Sequence, residues 1–80
     1  MQNYFVYAIK SVKHKRTYIG MSCNPQKRLL EHNHGEVFST KGFRPWILIF
    51  IEDTGNKRAN ARIREKYWKS GCGKEILKTL

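Results

Sequence analysis

The apolar residues of the first half of the chain fall into strand-like runs broken by polar punctuation. In Asn3–Ser11, Tyr4, Phe5, Val6, Tyr7 and Ile9 are β-branched or aromatic, which predicts a strand. Val12–Lys15 is polar and fits a turn, and Arg16–Ser22 reads as a second strand, so the first 22 residues form a hairpin. Asn24-Pro25 then supplies a helix start, with Asn as cap and Pro at the first helical position. That helix is expected to reach Asn33 or His34, where Gly35 stops it. Residues 35–45 hold Gly35, Ser39, Thr40, Gly42 and Pro45, a loop composition that also carries Lys41 and Arg44. Trp46–Glu52 is a continuous apolar run, as expected of a strand buried on both faces. A turn over Asp53–Asn56 leads into a helix over Lys57–Lys69, and Gly71 with Gly73 separates it from a short terminal helix, Lys74–Leu80. The order ββαβαα describes a small single-domain α/β fold over residues 1–80, with a three-stranded, mainly antiparallel sheet flanked by helices.

Periodicity also assigns faces. An even-numbered hairpin loop makes the residue numbers of paired positions sum to an odd value, and Tyr7 and Tyr18 then share a sheet face. Gly20 follows on that face and leaves space that a ligand could occupy. Alternatively, both tyrosines are ordinary strand aromatics. On the first helix Arg28 and His32 are neighbours four residues apart, with Leu29 and Leu30 turned toward the core. The pair is either a solvated basic face or a place where a planar guanidinium meets phosphate. On the second helix Ala61, Glu65 and Trp68 form one stripe, which puts Glu65 at the margin of the buried face. A carboxylate there needs a partner: a salt bridge with Arg62, Arg64 or Lys66, or a metal ion.

Composition adds a partner class. With 80 residues the core lies near the lower limit for independent folding, and ten aromatic side chains supply large buried areas. Sixteen basic against six acidic residues give a net charge of +10, which favours a polyanion, most commonly nucleic acid. An anionic membrane or a ribosome would leave a similar mark. The basic residues are spread along the chain, as on a folded basic surface rather than a disordered arm. The longest apolar run is strand-sized, and no signal-peptide core follows the N-terminus, so the expectation is a soluble, cytoplasmic protein with no membrane partner. Cys23 and Cys72 are expected to be reduced; a zinc site joining them to His32 and His34 lacks finger-like ligand spacing.

Several short segments occur in an order that resembles one family, the GIY-YIG nuclease domain of homing endonucleases, excision-repair nucleases and small stand-alone bacterial proteins. Tyr18-Ile19-Gly20 matches the second half of that name, and Phe5-Val6-Tyr7 the first half with its glycine replaced. Lys27–Asn33 is similar to the family's arginine-bearing helix. Ser39–Gly42 and Arg44–Trp46 are similar to the linker of the short bacterial group, and Arg64-Glu65-Lys66 to the segment with the metal-binding glutamate. Two departures are visible: no asparagine follows Glu65, and Met21 stands where some members have lysine.

The resemblance implies a Mg²⁺- or Mn²⁺-dependent DNA endonuclease of low sequence specificity, serving DNA repair or processing, with a protein partner supplying specificity. By position, Glu65 would hold the metal and Arg28 would stabilise charge on the phosphorane. Tyr7 or Tyr18 would activate water, with His32 as hydrogen-bond partner or proton carrier. A phenol titrates near 10 as a free side chain, so it would need nearby cations to act as base. Lys27, Lys41, Arg44 and Lys69 are the expected DNA-contacting cations. A second class is a nucleic-acid-binding module of the same fold that has lost catalysis. A third, a ribosomal or membrane-surface basic protein, predicts no shared site for Tyr7, Tyr18, Arg28 and Glu65.

Overall fold

A computed structural model describes residues 2–80, so Met1, part of the expected domain, lies outside the described residues. The elements are β1 (Phe5–Ser11), β2 (Thr17–Ser22), α1 (Pro25–Asn33), α2 (Phe38–Lys41), β3 (Trp46–Asp53), α3 (Arg58–Lys69) and α4 (Gly71–Leu77). The sheet is antiparallel throughout, in the order β2-β1-β3.

The hairpin closes through Val12–Lys15, with the Ser11 N–H donating to the Arg16 carbonyl at 3.0 Å. Tyr7 pairs with Gly20 and Ile9 with Tyr18, so the even loop puts Tyr7 and Tyr18 on one face, as the parity rule requires. β1 is the central strand. Tyr7 and Ile9 face one helical layer, together with Trp46, Leu29, Phe43, Leu48 and Tyr18. Val6 and Ala8 face the other, with Ile19, Trp68, Leu77, Ile49 and Phe50. α1 covers the first face, and α3 with α4 covers the second.

Four expectations change. The apolar run of β3 does not mark a strand buried on both faces: β3 is an edge, and Ile47 and Ile51 are exposed. Apolar continuity alone does not separate a central strand from an edge. A register shift opposite Ala8/Ile9 also turns the consecutive Ile49 and Phe50 onto the same cluster.

Leu30 does not face the core; it is 58% exposed. The buried stripe of α1 is Pro25, Leu29 and His32, at spacing i, i+4, i+7, and a histidine occupies the place where a leucine was expected.

The loop over residues 35–45 contains the single turn α2, closed by the Thr40 and Lys41 N–H groups on the Val37 carbonyl. The terminal helix starts at Gly71, not Lys74, and Ser70 caps it by accepting from the Gly73 N–H. A Cβ on Gly73 would come within 2.6 Å of the Trp68 Cα and the Tyr67 carbonyl. That glycine admits close approach of α4 to the end of α3 instead of breaking the helix.

Arg64 ties α3 to the sheet. Its Nε and Nη2 donate to the two Glu52 carboxylate oxygens at 2.7 and 2.8 Å, and its guanidinium lies over the Tyr67 ring. Among the described residues no helix is long and apolar enough to cross a membrane.

Candidate active site

Tyr7 lies on the central strand and is 1% exposed, which holds its ring in one place. Gly20 is opposite it, and a Cβ there would fall 2.8 Å from the Tyr7 hydroxyl oxygen and 3.1 Å from the Tyr18 ring. The space expected above Gly20 is therefore filled by the two tyrosine rings. The glycine is needed for them and not for a ligand.

α1 brings His32 onto this face. Its ring is wholly buried, with Nε2 2.9 Å from the Tyr7 hydroxyl and Nδ1 2.7 Å from Thr40 Oγ1. The Tyr18 ring packs 4.9 Å from the His32 ring and 6.4 Å from the Tyr7 ring, centroid to centroid. Arg28, one turn before His32, ion-pairs with Glu31 at 2.8 Å, and its positive charge lies close enough to act on the Tyr7 hydroxyl. A surface cavity of about 350 Å³ lies on the outer side of Arg28, lined also by Lys27, Glu31 and Asn24, with none of Tyr7, Tyr18 or His32 in its wall.

Burial pushes the Tyr7 phenol up to about 12; the charges of Tyr18 and Glu65 act in the same direction, and Arg28 opposes them. Nearby cations were expected to bring a phenol down, but at Tyr7 desolvation outweighs Arg28. His32 is held below its ordinary value by burial and then by the Arg28 charge. At neutral pH both Tyr7 and His32 are uncharged.

Glu65 arrives from the opposite layer, where α3 packs across β2, and its charge reaches Tyr7. Its side chain is 13% exposed, and its salt-bridge partner is Lys69, at 3.2 Å. The salt bridge weighed in the sequence is thus present, through Lys69 rather than Arg62, Arg64 or Lys66. Arg62, Glu65, Lys66 and Lys69 line a shallow cavity of about 290 Å³.

Among the described residues no three His, Cys, Asp or Glu side chains gather to hold a metal. The donor set is one carboxylate whose partner is a half-exposed lysine. That fits a hard divalent ion taking most of its coordination from water and phosphate oxygens, and no ion needing several protein ligands. Cys23 and Cys72 are free thiols.

The structure thus brings Tyr7, Tyr18, Arg28 and His32 together, while Glu65 lies in the opposite layer at a separate cavity, its charge being the weakest of the influences on Tyr7. It places Lys41 and Arg44 elsewhere, at the end of α2, where the Arg44 Nε donates to the Lys41 carbonyl at 2.7 Å and its guanidinium covers Gly35. The sequence reading missed Thr40. A threonine in a Ser-Thr-Lys-Gly loop carries no signal of burial, yet it is 1% exposed, with its carbonyl accepting from the Trp46 indole at 2.9 Å.

Comparison with known proteins agrees with this geometry. The family model of the GIY-YIG catalytic domain matches residues 3–75. The structure-specific endonuclease subunit SLX1 of Debaryomyces hansenii is 49% identical over 55 residues, 60% of this chain and 16% of the relative. Its namesake from Candida dubliniensis is 42% identical over 55 residues, 60% of this chain and 19% of the relative. An uncharacterised protein, L300 of Acanthamoeba polyphaga mimivirus, is 36% identical over 86 aligned positions that cover all of this chain and 51% of the viral protein. The chain therefore spans under a fifth of the fungal relatives and about half of the viral one.

Proposed function

This chain belongs to the GIY-YIG catalytic domain family, a family of nucleases, and on that premise we propose that it is a DNA endonuclease that hydrolyses phosphodiester bonds with one divalent ion, Mg²⁺ or Mn²⁺. The observation that carries this reading is the meeting of Tyr7, Tyr18 and His32 on one face, with Arg28 acting on the Tyr7 hydroxyl. Arg28 presents a planar fork to the phosphate and stabilises the negative charge that grows as water attacks. Tyr7 takes the proton of that water, with His32 as its hydrogen-bond partner. Glu65 would hold the divalent ion, which would supply further positive charge at the phosphate when bound. The net charge of +10 would raise the local concentration of polyanion, and Lys27, which lines the same cavity as Arg28, would hold the flanking backbone.

Phosphate contacts position a protein on DNA but do not identify bases, so little sequence specificity is expected. The names of the fungal relatives, structure-specific endonuclease subunits, support a substrate read by its shape and a further subunit that adds discrimination. Purified protein is to be incubated with duplex, nicked, flapped, branched and single-stranded DNA in Mg²⁺ or Mn²⁺. Cleavage that EDTA abolishes is expected. Salt-sensitive binding without cleavage of any substrate would replace this reading with that of a binding module.

A further inference from the structure

Three hydrogen bonds run in series from the Tyr7 hydroxyl to the backbone. Tyr7 Oη lies 2.9 Å from His32 Nε2, His32 Nδ1 lies 2.7 Å from Thr40 Oγ1, and Thr40 Oγ1 lies 3.3 Å from the Val37 carbonyl. Counting hydrogens fixes their directions. Among the described residues the buried Tyr7 hydroxyl has one acceptor in contact, His32 Nε2, because Arg28 can only donate. If His32 carried its hydrogen on Nε2, that nitrogen would donate to the Tyr7 oxygen and the Tyr7 hydrogen would be buried unpaired, an arrangement folded proteins avoid. Nε2 therefore carries the lone pair, and the neutral imidazole carries its hydrogen on Nδ1. That hydrogen goes to Thr40 Oγ1, whose own hydrogen goes to the Val37 carbonyl.

We infer that Thr40 is a positioning residue for phosphodiester hydrolysis: by accepting from Nδ1 it holds His32 in the tautomer whose Nε2 takes the Tyr7 proton. The inference deepens the nuclease reading and rests on it. The transfer balances. A water hydrogen passes to Tyr7 Oη as the phenolic hydrogen passes to His32 Nε2. The water oxygen bonds phosphorus, and the leaving oxygen departs with the electrons of its P–O bond and is protonated from solvent. The imidazolium keeps its bond to Thr40 unchanged, so gaining the proton requires no rearrangement behind the ring. The extra proton then returns through Tyr7 to solvent. Tyr7, and not Tyr18, is the base in this scheme, since the relay begins at the Tyr7 hydroxyl.

The test compares Thr40→Val, which keeps the shape and removes the hydroxyl, with Thr40→Ser, which keeps the hydroxyl. The Thr40 carbonyl bond to Trp46 is available in both. Imidazole nitrogen chemical shifts by NMR report the His32 tautomer without reference to activity. Wild type and Thr40→Ser should show Nδ1–H, and Thr40→Val should gain the Nε2–H form. In Thr40→Val the cleavage kcat should fall by roughly 10²-fold, with KM and DNA affinity in EDTA near wild type, and Thr40→Ser should recover most of the rate. An Nε2–H tautomer in wild type would overturn the inference, even if the variants failed to fold. So would a folded Thr40→Val with wild-type tautomer or wild-type kcat. Tautomers as expected in a wild type that cleaves nothing would fail the nuclease reading while leaving the hydrogen-bond assignment intact.

Discussion

The hydroxyl of Tyr7 and Nε2 of His32 stand 2.9 Å apart, and both side chains are almost wholly buried. One comes from the central strand and the other from the buried stripe of α1. A contact that in an ordinary small domain would be apolar packing is here a hydrogen bond between two groups that can exchange a proton.

Tyr7→Phe keeps the ring and removes the oxygen. Cleavage should fall by ~10²–10⁴-fold. Stability should fall by about 1–3 kcal/mol, because the buried His32 Nε2 loses its partner. Tyr18→Phe should melt close to wild type and lose far less activity. Rates and thermal melts of both variants check this; unchanged rates in each and in the double variant would exclude a tyrosine base.

Gly20→Ala should displace the Tyr7 ring, since the added methyl would sit 2.8 Å from its hydroxyl oxygen. A stability loss of about 1–3 kcal/mol is expected from such overpacking. The loss of cleavage should exceed what the unfolded fraction explains. Gly42→Ala is the control, because a Cβ there meets nothing within 4 Å. Equal behaviour of the two variants in melting and cleavage would contradict the packing described.

Much of this was legible in the sequence for physical reasons. The parity of a four-residue loop sets which strand residues share a face, so Tyr7, Tyr18 and Gly20 could be placed together before any coordinates. The Asn24-Pro25 helix start was equally plain: the Asn24 side chain accepts from the Lys27 N–H at 3.2 Å. What stayed hidden depended on tertiary contact. The family resemblance already named His32 as a hydrogen-bond partner, but its full burial and its bond to Thr40 show only in the fold. Leu30 reads as core until His32 is seen to occupy the buried stripe. Gly73 reads as a breaker until α4 is found flush against Trp68.

Glu52→Gln tests the tie between α3 and β3. Hydrogen bonds and charge from Arg64, with a hydrogen bond from the Trp68 indole, hold the Glu52 carboxyl below its ordinary 4.5. A depressed carboxyl stabilises the fold above its unfolded value, and that stabilisation is lost as pH falls through the lower folded value. With Arg64 partly exposed, the effect should be about 1 kcal/mol or less. Melting temperatures measured from pH 7 to pH 3 should show a constant gap between wild type and Glu52→Gln above about 4.5 that closes below it. A gap independent of pH across that range would contradict the assignment.

The central claim is that Glu65 serves a metal ion in phosphodiester hydrolysis and not only the α3 salt bridge to Lys69. Glu65→Gln keeps size and helix while removing the charge, and its Mg²⁺-dependent cleavage of the DNA panel is the most direct measurement, with melting and DNA binding in EDTA recorded alongside. The claim predicts abolished cleavage, a nearly unchanged melting temperature, and DNA affinity equal to or slightly above wild type, since one negative charge leaves a phosphate-binding surface. Full cleavage by a folded Glu65→Gln would contradict it.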